Sequence, residues 1–208
     1  MSVLRKPFRY SYSSAVFYLI GITVLVNLAQ RLFGPVSVIL AMNPIYVLHG
    51  WVWQFFTYMF VHDPRGFSHI LFNMLGLFIF GMQVERRMGT REFLLYYFVT
   101  GTLAGVASFA VYVFAGAAPF LMGASGALFA VELAFAAFYP DALIYIWGII
   151  PLRAPVMVLG YTGLELFLSF TGMQRGVAHF THLSGFAMGW LYFLIRFGIN
   201  PWRAFRGR

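Results

Sequence analysis

The sequence of 208 residues contains no cysteine and few charged side chains. Without cysteine the chain has no disulfide framework, no thiolate metal ligand and no thiol nucleophile. Charged residues make up 10% of the chain, against about 25% in soluble globular domains. So few charges cannot cover the exterior of a soluble fold of this size. The composition therefore excludes a soluble enzyme, a disordered chain and a protein that binds nucleic acid.

Apolar residues are abundant instead, at 61% of the chain, with a mean hydropathy of +0.80. A helix that crosses a bilayer needs about 20 predominantly apolar residues, and fewer where it is short or lines water. Six segments fit this description: residues 15–32, 68–84, 93–115, 125–139, 155–170 and 177–197. We therefore predict an all-α membrane protein with six transmembrane helices. It forms a single domain over residues 1–208, whose core at 14–198 lies between basic tails at 1–13 and 199–208.

Two connecting segments are unusual. Residues 34–67 are too many for a turn and too apolar for a solvated loop, and WVWQFFTYMFVHD at 51–63 is rich in the aromatic residues typical of a membrane interface. We expect a long, membrane-associated first loop there. In IWGIIPLRAP at 146–155, two prolines interrupt any helix, so a short interfacial piece is expected.

The basic residues indicate the orientation in the membrane. With a cytoplasmic N-terminus, most of the 14 Lys and Arg residues fall on the cytoplasmic side and three fall outside. The cytoplasmic set is Arg5, Lys6, Arg9, Arg86, Arg87, Arg91, Arg153, Arg196, Arg203, Arg206 and Arg208, and the outer set is Arg31, Arg65 and Arg175. The positive-inside rule then predicts a multi-pass protein of the plasma (inner) membrane with both termini in the cytoplasm.

Polar side chains inside the predicted helices mark a candidate site, because they are costly in a bilayer. Ser125 begins the fourth helix, His182 lies in the first turns of the sixth, and His69 begins the second. In the predicted orientation all three lie at similar depth near the outer surface. Asn73 follows His69 by four residues, so it shares that helix face about one turn deeper.

This set of side chains suits acyl transfer. A serine hydroxyl is a weak nucleophile unless an adjacent base takes its proton, and the developing oxyanion needs fixed hydrogen-bond donors. Gly123 and Gly126 flank the Ser125 segment and leave room for backbone N–H groups and a substrate carbonyl. The sequence thus suggests a hydroxyl nucleophile, an imidazole base and donors from Asn73 and His69.

No acidic residue is placed by the sequence to orient an imidazole. Glu132 lies about two turns deeper than Ser125, and Glu165 lies in the middle of the fifth predicted helix. Buried carboxyl groups are normally paired or hydrogen-bonded. We therefore expect both side chains to form hydrogen bonds between helices; the alternative is that they line a proton or ion path. The sequence therefore indicates a Ser125–His182 dyad rather than a triad.

Four motifs occur in order: HILFN at 69–73, ERRMG at 85–89, GASG at 123–126 and HLSG at 182–185. Their order and positions resemble the rhomboid intramembrane serine proteases, and the resemblance extends over residues 53–190. It implies a rhomboid-like bundle that cleaves transmembrane segments of membrane proteins and needs no cofactor or metal. It also implies lateral substrate entry near the fifth helix, with small residues preferred at the cut and helix-breaking residues beyond it. The expected partners are these substrates and the lipid bilayer.

The resemblance assigns roles to individual residues. Ser125 matches the family nucleophile and His182 its general base. Asn73 and His69 match the side chains that stabilise the oxyanion, together with the backbone N–H of Ser125. Gly123 matches the glycine two residues before the nucleophile.

Four further positions support this assignment or depart from it. Phe129 stands where the family often has an aromatic residue packed on the catalytic imidazole. Gly185 and Gly189 form a small-xxx-small pattern, which predicts that the sixth helix packs closely on the fourth. Gln54 stands where many members have an arginine that fixes the first loop, and it is therefore a departure from the family pattern.

Several alternatives stay open. The chain is either a protease, a catalytically inactive rhomboid-like protein that binds membrane clients, or a small transporter that uses Glu132 and Glu165. The presence of both the serine and the histidine argues against the inactive form, and the lack of repeats argues against a transporter. A zinc site is a further alternative, with candidate ligands His62, His69, His179 and His182. His49 and His62 are interpreted as interfacial, although His62 matches a position that is often histidine in the rhomboid family.

Overall fold

The computed structural model describes residues 7–146, 148–171 and 179–206. Helices in the first half are α1 (Ala15–Leu32), α2 (Pro35–Leu40), α3 (Pro44–Leu48), α4 (Gln54–Thr57), a 3-10 turn (Tyr58–Phe60), α5 (Ser68–Gly76), a π-helical turn (Leu77–Gly81) and α6 (Met82–Met88). The second half contains α7 (Thr90–Phe114), α8 (Ser125–Phe138), α9 (Ala154–Thr171), α10 (His179–Tyr192), a second π-helical turn (Phe193–Phe197) and α11 (Pro201–Phe205).

The predicted spans correspond to helices of the structure. By length and composition α1, α7 and α9 are long and apolar enough to cross a membrane. The predicted second span is longer than expected, because α5 continues through the π-helical turn into α6 and ends at Met88. The predicted start of the sixth span, Val177, lies outside the described residues, and α10 begins at His179.

The all-α prediction is wrong at one segment. Residues 143–146 and 150–153 form the antiparallel strands β1 (Leu143–Ile146) and β2 (Ile150–Arg153) of a hairpin, in which Leu143 pairs with Arg153. Pro151 prevents a helix, and the β-branched and aromatic residues around it favour strands. The hairpin leads directly into α9, since the N–H of Ala154 donates to the carbonyl of Ala142 at 2.9 Å.

The first loop folds around one buried glutamine. Gln54 is fully buried, and its Oε1 accepts from the N–H of Asn43 at 3.0 Å. Its Nε2 donates to the carbonyls of Val38 at 3.0 Å and Ile39 at 3.2 Å. A glutamine therefore supplies loop-fixing contacts at the position where the family often has arginine.

A carboxylate from α6 binds the N–H groups at the start of helix α1. The fully buried Glu85 accepts the N–H of Ala15 at 2.7 Å and of Val16 at 3.1 Å, and the Thr90 hydroxyl donates to it at 2.5 Å. The first N–H groups of a helix have no partner inside the helix, and a negative charge is favourable beside them. Glu85 of the ERRMG motif thus joins α1 to α6.

Helices α8 and α10 approach each other backbone to backbone. A Cβ added at Gly185 would overlap the carbonyl oxygen of Gly126, and one at Gly189 would lie 3.0 Å from the Cβ of Ala130 and 2.7 Å from the Tyr96 hydroxyl oxygen. Only glycine leaves this space free. The close packing predicted from the small-xxx-small pattern is present, and α8, whose residues are mostly buried, lies at the centre of the bundle.

We expect Gly185→Ala to destabilise the protein, because the added methyl group collides with a backbone carbonyl that cannot rotate away. Overpacking of this kind costs about 1–3 kcal/mol. Gly163→Ala on α9 is a matched control, since an added Cβ there meets nothing within 4 Å. Thermal unfolding in detergent should show a lower midpoint for Gly185→Ala alone. Equal midpoints for the two variants would contradict the close approach of α8 and α10.

Candidate active site

The segment before α8 adopts a conformation that requires glycine. Gly123 has φ +123°, a region that residues with side chains rarely adopt, and its N–H donates to the carbonyl of Tyr58 at 3.0 Å. A Cβ at Gly123 would lie 2.9 Å from Nε2 of His69. The glycine therefore permits the turn into Ser125 and leaves room for an imidazole against it.

The sequence-predicted hydroxyl and imidazole meet at the start of α8. Nε2 of His182 lies 2.7 Å from Oγ of Ser125. The ring of Phe129, one turn after Ser125, stacks on the imidazole with ring centroids 4.7 Å apart and an interplanar angle of 6°. A base within hydrogen-bond distance of a serine hydroxyl can take its proton. Stacking limits the orientations that the imidazole can adopt.

Helix α5 brings His69 and Asn73 to the same place. Both line a cavity of about 840 Å³ together with Ser125 and His182. The side-chain amide of Asn73 donates one N–H to the carbonyl of His69 at 2.8 Å, which leaves its second N–H available to another acceptor. The structure thus gathers in one cavity the three residues that the sequence placed at similar depth and Asn73, which it placed about one turn deeper.

An acidic residue lies beside the imidazole, contrary to the sequence-based expectation. Oε1 of Glu165 is 3.1 Å from Nδ1 of His182, and Oε2 is 2.5 Å from Nδ1 of His179. The contact with His182 is at ion-pair distance but outside hydrogen-bond geometry. The hydrogen bond expected between helices is confirmed at His179. The expectation that no acid accompanies the imidazole is wrong, because the depth of a residue along α9 does not reveal which neighbour it faces.

The alternatives based on acids and metals gain no support. Glu132 lines a second cavity of about 390 Å³ with Tyr161 and Glu165. Within the described ranges it forms no ion pair or hydrogen bond between helices, so the hydrogen bond expected of Glu132 is not found there. In the part of the chain that the structure describes, no three His, Asp or Glu side chains are grouped as metal ligands.

His62 is buried rather than interfacial, and sequence reasoning missed its contacts. Gln30 of α1 binds both of its backbone groups: Nε2 of Gln30 donates to the His62 carbonyl at 2.9 Å, and the His62 N–H donates to Oε1 at 3.1 Å. Nε2 of His62 accepts the N–H of Ala124 at 3.4 Å. His62 therefore supports the peptide between Gly123 and Ala124, one residue before Ser125. The available signal was the resemblance, in which this position is often histidine.

Comparison with known proteins identifies the family. The Rhomboid domain model matches residues 49–199, so the chain belongs to the rhomboid family. It is 29% identical to "Rhomboid protease GlpG" of Haemophilus influenzae over 189 residues, which cover 90% of this chain and 93% of the relative. The chain belongs to this family and has long apolar helices, so it is an integral membrane protein.

Two relatives from eukaryotes also match. "RHOMBOID-like protein 1" of Arabidopsis thaliana is 31% identical over 173 residues, which cover 79% of this chain and 42% of the relative. "Rhomboid-type serine protease 2" of Emericella nidulans is 34% identical over 137 residues, which cover 65% of this chain and 25% of the relative. The matched regions thus span less than half of either eukaryotic relative.

The buried imidazole of His62 makes folding stability depend on pH. Burial, together with the neighbouring His69 ring, lowers the pKa of His62 to about 3 from its ordinary 6.5. Between these values the unfolded chain binds a proton that the folded protein excludes. Stability therefore rises with pH in this window and falls as the pH decreases, by up to about 1.4 kcal/mol per pH unit.

We expect the thermal midpoint of the wild type to fall between about pH 7 and about pH 5, and to fall less in His62→Gln. His49→Gln is the matched control, because it makes the same change at an exposed histidine. Midpoints measured in detergent across this range check the prediction. An unchanged pH dependence in His62→Gln would contradict the burial of this ring.

Proposed function

We propose that this chain is an intramembrane serine endopeptidase that cleaves transmembrane segments of other membrane proteins. The observation that carries the proposal is the 2.7 Å contact between Oγ of Ser125 and Nε2 of His182, in a cavity that His69 and Asn73 also line. Membership of the rhomboid family supports it, as do the protease names of relatives such as those from H. influenzae and E. nidulans.

The proposed reaction follows from the positions of these atoms. Nε2 of His182 takes the proton of Ser125 as Oγ attacks the scissile carbonyl, and the resulting oxyanion accepts hydrogen bonds from the free N–H of Asn73, a ring N–H of His69 and the backbone N–H of Ser125. His182 then returns the proton to the leaving amine. Water attacks the acyl-enzyme in the same way, with His182 again as base, and releases Ser125.

The proposed topology brings water and substrate together. Six spans would be formed by α1, the continuous helix from α5 to α6, α7, α8, α9 and α10, with both termini cytoplasmic and the cavity open to the outer side of the inner membrane. Hydrolysis needs water, which hydrocarbon excludes, and a polar cavity open to one side supplies it. A substrate helix hides its carbonyls in its own hydrogen bonds. It must therefore unwind locally after lateral entry near α9.

The direct test is cleavage of a single-span reporter by purified protein in detergent. We expect Ser125→Ala and His182→Ala each to lower the rate at least about 1,000-fold, because either change removes the nucleophile or its base. Ser184→Ala, two residues beyond His182 on α10, is the matched control and should keep its activity. Cleavage that persists in Ser125→Ala would overturn the proposed nucleophile.

If the wild type does not cleave the reporter, the next test is a fluorophosphonate probe, which reacts with activated serines and needs no membrane substrate. If the probe labels Ser125 in the wild type but not in His182→Ala, the site is competent and the reporter was not a suitable substrate. Folded wild-type protein that does not label would overturn the protease proposal in favour of an inactive protein that binds membrane clients.

Asn73→Ala tests the oxyanion donors. Loss of one donor that acts mainly in the transition state lowers kcat by about 100- to 1,000-fold, while KM changes little because the ground state does not use this bond fully. Asn200→Ala, which removes an amide that caps α11 outside the cavity, serves as the control. Steady-state kinetics on the reporter separate the two parameters. A raised KM at unchanged kcat would assign Asn73 to substrate binding instead.

A further inference from the structure

We infer that Glu165 is a positioning residue for His182, so that the site is a Ser125–His182–Glu165 arrangement rather than a dyad. This inference rests on the proposed function and adds a third member to it. It starts from Nδ1 of His182, which is buried and has no hydrogen-bond partner within the described ranges. The group beside that nitrogen is the Glu165 carboxylate, with Oε1 at 3.1 Å.

The carboxylate is held in place by a second imidazole. Oε2 of Glu165 lies 2.5 Å from Nδ1 of His179, and the side chains of Glu165, His179 and His182 are 15%, 9% and 13% exposed. His179 precedes His182 by three residues, so both rings project from the same face of α10. One carboxylate thus spans two successive turns of α10. Because His179 anchors one oxygen, the other is directed at His182 with little loss of side-chain entropy.

The chemistry explains why the catalytic imidazole needs this neighbour. A neutral imidazole carries one N–H, and Nε2 can accept the proton of Ser125 only if that hydrogen is on Nδ1. A carboxylate beside Nδ1 favours this tautomer. It also stabilises the imidazolium that forms when His182 takes the serine proton, and it does so without taking a proton itself. Little water screens the interaction, because all three side chains are mostly buried.

A purely structural role does not account for both oxygens. A link between α9 and α10 needs one hydrogen bond, which the contact of Oε2 with His179 provides. The position of Oε1 beside the unpartnered nitrogen of His182 is then left unexplained. The positioning role explains both contacts, since His179 orients the carboxylate and the carboxylate orients His182.

The test compares Glu165→Gln with Glu132→Gln. Both residues line the second cavity, and each change replaces a carboxylate by an amide of the same size. Of the two carboxylates, only that of Glu165 contacts His182. The readout is the second-order rate of fluorophosphonate labelling of Ser125 in folded, purified protein. We expect Glu165→Gln to slow labelling at least about tenfold, as loss of the orienting acid does in serine hydrolases. Glu132→Gln should stay within about twofold of the wild type.

The pH profile of labelling gives a readout that a structural link would not move. Among the described residues, the titratable groups near His182 are Glu165 on α9, His69 on α5 and His179 on its own helix, and the cavity that His182 lines also includes Tyr112, Asp63 and Arg65. Loss of the Glu165 charge disfavours the protonated imidazole. The acid limb, where protonation of His182 stops labelling, should therefore move to lower pH in Glu165→Gln and stay in place in Glu132→Gln.

The outcomes separate the inference from the proposed function. Wild-type labelling rates and an unmoved acid limb in Glu165→Gln would overturn the inference, and Glu165 would serve only to join helices. Should Glu165→Gln not fold, Glu165→Asp keeps the charge but shortens its reach; slow labelling with an acid limb near that of the wild type would support the inference, and a wild-type rate would overturn it. Folded wild-type protein that neither labels nor cleaves would overturn the proposed function itself, and the inference with it.

Discussion

The backbone contact between α8 and α10 is the constraint on which the site depends. Gly126 and Gly185 touch without side chains between them. Ser125 precedes the first of these glycines by one residue and His182 precedes the second by three, so the contact fixes how far along each helix the two groups stand. Hydroxyl and imidazole meet because two helices can approach more closely than side chains normally allow.

Buried polar groups are treated differently near this contact and away from it. Away from it, Glu85 is paired with backbone groups at the start of α1, and Gln54 is paired with backbone groups in the first loop. Such pairing is necessary because apolar surroundings make an unpaired group costly. Beside Ser125, Nδ1 of His182 and Oδ1 of Asn73 are buried without a hydrogen-bond partner among the described residues. These unpaired groups lower the stability of the fold, and they lie where atoms must remain available to a substrate or to a changing charge.

The sequence could predict the depth of a residue but not the direction in which it faces. Ser125, His182 and His69 were brought to one level because the starts of alternate antiparallel helices share one side of a bundle. Glu165 shares one face of α9 with Tyr161, Thr162 and Ser169, but nothing in the sequence showed that Glu165 meets α10. The burial of His62 was equally hidden, since it depends on a glutamine 32 residues earlier in the chain. The β-hairpin was missed because Pro151 signals only that a helix is interrupted, not which structure replaces it.

The pairing of Gln30 with His62 gives α1 a share in the geometry of the site, although none of its residues lines the cavity. Gln30 holds both backbone groups of His62, and the His62 ring holds the N–H of Ala124 beside Ser125. The 18 residues of α1 span about 27 Å, close to the thickness of the hydrocarbon core. A thinner or thicker bilayer changes the tilt of such a helix. A change in membrane thickness can therefore affect the position of Ser125 through the side chains of Gln30 and His62.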